Sequence, residues 1–274
     1  MRRDSLLALP LVGYLALFLV YPTLYAVKLA FTDTIAGSFP SLQNFRTLAG
    51  DALFWAAVGG NLVLPVLTVG LELASGLALA LLLAARLPGR RLLRAAIVVP
   101  FALPEIVFLT IMRHILAPRG YANGALAAAG FEPVGWLLPG RWTTYLTVVV
   151  VDAWHTTPVV FLMLLAALSA LPEEVGEAAR VDGARGVRRF IHITLPLLAP
   201  AILAALMLRG LDALRVFATP LVLTGVEGVP VVSTYAYHQW SDYGNDGAAA
   251  AAASVLALLS VVLAVPLLRR RRAA

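Results

Sequence analysis

Six apolar stretches, each long enough to cross a bilayer, dominate this 274-residue chain and leave it few possible folds. They run approximately over Leu6–Ala30, Phe54–Ala85, Leu92–Leu116, Thr143–Ala170, Leu197–Leu221 and Ala248–Leu268. A soluble domain of this size cannot hide a sequence that is 61% hydrophobic and only 13% charged. The expectation is an all-α polytopic membrane protein with six transmembrane helices, forming one membrane domain over residues 1–274. The basic start MRRD followed by an apolar run resembles a signal peptide. That run continues to about Phe31, longer than a signal-peptide core, so it is read as a retained first span. The Phe54–Ala85 stretch exceeds one span and is expected to tilt or project. Pro65, Pro100, Pro104 and Pro158 predict kinks.

Arginine placement sets the expected orientation. With the N-terminus inside, the cytoplasmic segments hold Arg2 and Arg3, then Arg86, Arg90, Arg91 and Arg94, then Arg180, Arg185, Arg188 and Arg189, and finally Arg269 to Arg272. The opposite loops hold only Arg46, Arg119 and Arg141. The asymmetry predicts an N-in, C-in topology with an even number of spans. It also accounts for the +6 formal charge without nucleic acid, the RRRR tail serving as a stop-transfer anchor. The outer segments Thr32–Ala52, Pro118–Trp142 and Val222–Gly247 are rich in Tyr and Trp. That suits an interfacial aromatic belt, with a surface for an extracytoplasmic partner as the sharper alternative.

Pro172 to Pro196 is the longest polar interval, and it is the expected cytoplasmic loop. Pro172 suits a first helical turn, and Glu173 and Glu174 suit the positive end of the helix dipole. Glu177 and Arg180 are spaced to pair, and Val175, Ala178, Ala179 and Val181 form a small apolar face. Asp182-Gly183 then breaks the helix, and a second short helix is expected from about Ala184 to Thr194, with Pro196 restarting the chain as the next span. The loop reads as a docking surface for a soluble partner or, more simply, as a solvated hairpin.

The string EAARVDGARGVRRFIHITLPLLAP, with Glu177-Ala178-Ala179, Gly183 and Leu195-Pro196 at characteristic spacing, resembles the EAA loop of binding-protein-dependent ABC importer permeases. Its details are similar to the carbohydrate-uptake branch that includes maltose and glycerol-3-phosphate permeases. LQNFRTL, NLVLPVLTVGLELASGLALALLL, GWLL, LRVFATPLVLTG and STYAYHQWSDYGNDGAAAAA extend the likeness over nearly the whole chain. One departure is TGVEGVP, where that family usually carries a Gly-Gly-Pro turn. The resemblance implies a type I importer permease fold, a multi-pass place in a bacterial plasma (inner) membrane, and one half of a translocation pathway. It further implies a second permease chain, two cytoplasmic ATPase subunits and an extracytoplasmic binding protein as partners. Glu173, Glu174, Glu177, Ala178, Ala179, Arg180, Asp182 and Gly183 would then couple the ATPases to the spans. ATP and magnesium would sit on the partners. The chain itself has no G-x-x-x-x-G-K-[ST] loop, and its single lysine is Lys28. It is read as a transport subunit and not an enzyme, with no cofactor of its own.

Ionisable side chains inside a bilayer are expensive and mark function or pairing. Arg209, Asp212 and Arg215 stand at helical spacing in the fifth stretch, either lining a path for a sugar or pairing structurally. Asp152, Trp154 and His155 in the fourth form a candidate sugar platform, with an interhelical histidine bridge as the plainer alternative. Asn61 and Phe217 complete the pathway candidates. Glu72 and Glu105 also lie deep, Glu105 being read as a cap at the Pro104 kink. His114, His192 and His238 show no metal spacing. The expected cargo is a sugar or oligosaccharide. Alternatives are a polyol, glycerol phosphate or another small solute on the same architecture, or an ion-coupled secondary transporter using the buried acids.

Overall fold

The computed structural model describes residues 9–84, 88–172, 174–175 and 186–271. All regular structure among them is helical. The helices are α1 (Leu9–Leu15), α2 (Tyr21–Ala30), α3 (Gln43–Gly50), α4 (Ala52–Ala84), α5 (Arg90–Ala102), α6 (Glu105–Ile115) and α7 (Tyr121–Ala128). They continue with α8 (Trp142–Ser169), α9 (Gly186–Arg189), α10 (Leu195–Ala213), α11 (Ala218–Gly228), α12 (Val232–Ser241) and α13 (Asp246–Arg271). Five of the described helices or helix runs are long and apolar enough to cross a membrane, and one bent pair passes the same test as a sixth candidate.

The bent pair is α5 and α6, which meet at 96°. The third apolar stretch is therefore an elbow and not one rod. Leu103 precedes a proline, which biases it away from the helical region, and it adopts φ −80°, ψ 142°. Pro65 and Pro158, by contrast, lie within unbroken helices. Two further prolines are accommodated by π turns. Ala16–Val20 joins α1 to α2, and Phe190–Thr194 joins α9 to α10. Each π turn contains the residue four before a proline (Pro22 and Pro196), whose carbonyl loses its normal partner. Pro196 consequently does not restart the chain as expected. The helical run is continuous from Gly186 to Ala213.

The fifth span ends at Ala213, short of the expected Leu221, and residues 214–217 break the helix before α11 begins at Ala218. Each expected outer loop contains helix, since α3, α7, α11 and α12 fall within or overlap them. At TGVEGVP, Gly225 takes φ 71° and ψ −174°, a conformation in which a side chain would be strained.

The chain folds as two compact units, one containing Pro230–Val261 with the residues up to Gly59, the other Gly60–Val229 with the C-terminal residues. In the first, Ala30, Leu48, Phe54, Ala57, Val232 and Tyr235 form the core with small residues of α13. Asn44 holds the end of α2, donating to the carbonyls of Ala30 at 3.1 Å and Thr32 at 2.7 Å, groups that a helix C-terminus leaves without partners. The Tyr235 hydroxyl donates to Asp51 at 2.6 Å, and burial and that carboxylate push its pKa up. In the second unit, Ala80 and Leu83 of α4, Val160, Phe161 and Leu164 of α8, and Ala205 of α10 share a core. This packing holds α4, α8 and α10 side by side and brings their polar residues together.

Candidate functional site

Glu72 is a lone carboxylate in the apolar middle of α4, fully buried. Arg209 of α10 reaches it with two parallel bonds, Nε to Oε2 at 2.8 Å and Nη2 to Oε1 at 3.1 Å. Thr156 of α8 adds a hydroxyl to Oε1 at 2.6 Å. A charge in so apolar a setting is tolerated only when paired and hydrogen-bonded, and the fork geometry of guanidinium on carboxylate is the strongest form of that pairing. Arg209 Nη1 also donates to Asp212 at 3.3 Å, and Arg215 lies 3.5 Å from the other Asp212 oxygen. The result is an alternating chain, Glu72–Arg209–Asp212–Arg215, running from the buried interior toward exposed side chains.

Beside this chain stands Asp152 of α8, whose Oδ1 accepts from Thr219 of α11 at 2.5 Å. His155, one turn later, packs its ring 4.8 Å from Phe108 and 6.0 Å from Phe101. The histidine is 9% exposed, and its Nε2 has no hydrogen-bond partner. Asp152, His155, Arg209, Asp212 and Arg215 all line one cavity of about 340 Å³, joined by Glu105, Phe101 and Phe217. The Pro104 elbow delivers Glu105 to this wall, and the break after α10 delivers Arg215 and Phe217. Asn61 supports that break from behind, donating to the Leu214 carbonyl at 2.6 Å, a group freed where α10 ends.

Several sequence expectations change here. Trp154 does not join Asp152 and His155. It is half-exposed, stands edge-on to Phe108 at 6.2 Å, and lines a separate cavity of about 450 Å³ with Met112, Trp136, Trp142 and other groups that carry no charge. Successive residues on a helix diverge by about 100°, so Asp152 and His155 share a face that Trp154 leaves. Arg215 is outside the fifth span, in the break. Glu105 is the first residue of α6 and makes no capping bond, because Pro104 occupies the cap position and the Glu105 side chain faces the cavity. Asn61 is fully buried in a structural contact. Phe217 stands on the cavity wall as a pathway candidate should.

Thr156 and Thr219 join the site without a sequence signal of their own. The available signal was Glu72 itself, since an acid in mid-bilayer demands a partner. Of the coupling residues, Glu174 is helical and exposed. Glu173, Glu177, Ala178, Ala179, Arg180, Asp182 and Gly183 lie outside the described residues. His114 and His192 each set Nδ1 against the carbonyl one turn earlier, and His238 pairs with Asp242. Among the described residues no group of three or more His, Cys, Asp and Glu side chains is arranged to hold a metal ion.

Comparison with known proteins places these features. Residues 72–271 match the family described as binding-protein-dependent transport system inner membrane component. The trehalose/maltose transport system permease protein MalF of Thermococcus litoralis is 34% identical over 255 residues, covering 89% of this chain and 85% of that protein. The sulfoquinovosyl glycerol transport system permease protein SmoG of Agrobacterium fabrum is 33% identical over 238 residues, covering 84% and 75%. A chain in the crystal structure of a bacterial ABC transporter involved in the import of the acidic polysaccharide alginate superposes with a TM-score of 0.88. It is 24% identical and covers 99% of this chain and 96% of its own length, so the fold is shared.

Proposed function

Because the chain belongs to the binding-protein-dependent transport system inner membrane component family, we propose that it forms half of the translocation pathway of an ATP-driven importer for a sugar or oligosaccharide. The observation that carries the reading is the 340 Å³ cavity, in which acids, guanidinium groups and an imidazole converge between bilayer-length apolar helices. Charged and polar groups are too costly at that depth to serve as filler, and hydroxyl-rich solutes need donors and acceptors along their path. The pathway residues in this proposal are Asp152, His155, Arg209, Asp212, Arg215 and Phe217. Asn61 acts through the break that it holds, and Trp154 stands outside the path.

The whole chain acts as one permease domain in a plasma membrane, N-in and C-in. A second, related permease supplies the other half of the pathway, and an extracytoplasmic binding protein delivers the solute. The segment around Glu173, Glu174, Glu177, Ala178, Ala179, Arg180, Asp182 and Gly183 docks on cytoplasmic ATPase subunits. Those partners bind ATP and magnesium and carry out hydrolysis, and their closure moves the spans. The sequence of the loop and the family membership support this assignment.

Co-purification of the chain with its ATPase in detergent tests the proposal, comparing wild type with Glu177→Lys and Gly183→Pro. Association lost, or ATPase activity uncoupled from uptake, in both variants is the expected outcome. A purified chain that moves solute down an ion gradient with no ATPase attached would overturn it.

A further inference from the structure

Relatives of this chain are named for neutral and for anionic cargo alike, and the two arginines of the cavity leave both open by sequence. We infer that the cavity accepts an uncharged, hydroxyl-rich solute and turns away analogues that carry a carboxylate or sulfonate. The inference rests on the importer reading and deepens it.

Arg209 is committed. Its Nε and Nη2 are taken by Glu72 and its Nη1 points to Asp212. Arg215 is two-thirds exposed, and the same Asp212 lies 3.5 Å away. Glu72, Asp212 and the two arginines therefore balance one another. Among the described residues, Glu105 remains on the wall with no ion pair, beside the buried Asp152 already bonded to Thr219, and no further guanidinium lines the cavity. An entering anion would give up water to face this acidic surplus, where like charges are poorly screened.

A neutral polyol meets the opposite situation. Its hydroxyls donate to the Glu105 and Asp212 carboxylates, and a hydroxyl can partner the buried His155 Nε2, which the protein leaves without one. Phe101 and Phe217 offer apolar ring surface to the CH face of a sugar.

The binding protein imposes its own selectivity, so the test omits it. Saturation-transfer NMR on the purified permease assembly, with trehalose and glucuronate as probes, reads the cavity directly. Trehalose is expected to receive magnetisation, and glucuronate about tenfold less, from like-charge repulsion. Glu105→Gln, shown by thermal melting to be folded, is expected to raise the glucuronate-to-trehalose ratio. Equal or stronger transfer to glucuronate in wild type, or a ratio that Glu105→Gln leaves unmoved, overturns the inference, as does no transfer to either sugar. ATP-driven uptake by the complete assembly is measured in parallel. Uptake that persists alongside strong glucuronate binding sinks the selectivity alone, whereas an assembly without uptake or ATPase association sinks the importer reading.

Discussion

Arg209 grips both carboxylate oxygens of Glu72 across 137 residues of sequence, tying α10 to α4 in the buried interior of the second unit. Removing one partner strands the other as an uncompensated charge. Glu72→Ala or Arg209→Ala should therefore destabilise the protein by about 3–5 kcal/mol, read from thermal unfolding in detergent. Arg209→Lys keeps the charge but loses the fork and should fall in between. The pair Glu72→Met with Arg209→Met should recover most of the loss, because it leaves no unpaired charge. Single substitutions that melt like wild type would show that the pair does not hold these helices together.

Gly76 of α4 packs tightly against α8. A Cβ there would lie 2.8 Å from Val160 Cγ1 and 3.1 Å from the Phe161 backbone nitrogen. The side chain of Val160 can be trimmed, but the backbone cannot move without shifting α8. Gly76→Ala is expected to cost about 1–3 kcal/mol by overpacking, and Val160→Ala in that background should restore part of it. An unchanged melting temperature for Gly76→Ala would mean the helices separate freely at this point.

These contacts mark the limit of what was legible in the sequence. Span number and approximate span position follow from hydropathy, because bilayer-length apolar runs have no other use. The elbow at Leu103–Pro104 was foreshadowed only as a kink, since a proline announces a break but not the 96° it produces. The helix end at Ala213 lacked any marker, as Leu214, Val216 and Phe217 continue the apolar pattern through the break. Arg209 and Asp212 were recognisable by local spacing, whereas the bond to Glu72 depends on tertiary packing that no local pattern encodes. Trp154 adjoins His155 in sequence, but the turn of about 100° per helical residue sends it to a different cavity from Asp152 and His155.

Asp33, in the turn after α2, accepts from the backbone N–H groups of Ile35 at 2.8 Å and Ala36 at 2.9 Å. Those bonds, Ala36 foremost, hold its carboxyl below the ordinary 3.8. A lowered native pKa means the unfolded chain binds more protons in this range, so the contribution is complete above the ordinary value and disappears as pH falls through the native one. The stability difference between wild type and Asp33→Asn should be constant above about pH 5 and shrink on further acidification. Melting curves taken from about pH 7 downward check this. A difference that grows toward low pH would contradict the sign.

The absence of cysteine makes the topology directly testable, since any introduced thiol is the only one present. Pro88 is exposed just before α5, Arg90, Arg91 and Arg94 follow it closely, and arginines near span ends are retained in the cytoplasm during insertion. Pro88→Cys should therefore resist a membrane-impermeant maleimide in right-side-out vesicles and react once they are permeabilised. Ser38→Cys and Phe131→Cys, at exposed positions in segments with few arginines, should react without permeabilisation. The three sites alternate across successive spans, so one inverted result would displace a span, and three inverted results would reverse the protein. Full reversal would also carry the Pro172–Pro196 segment out of the cytoplasm and remove the ATPase from its reach.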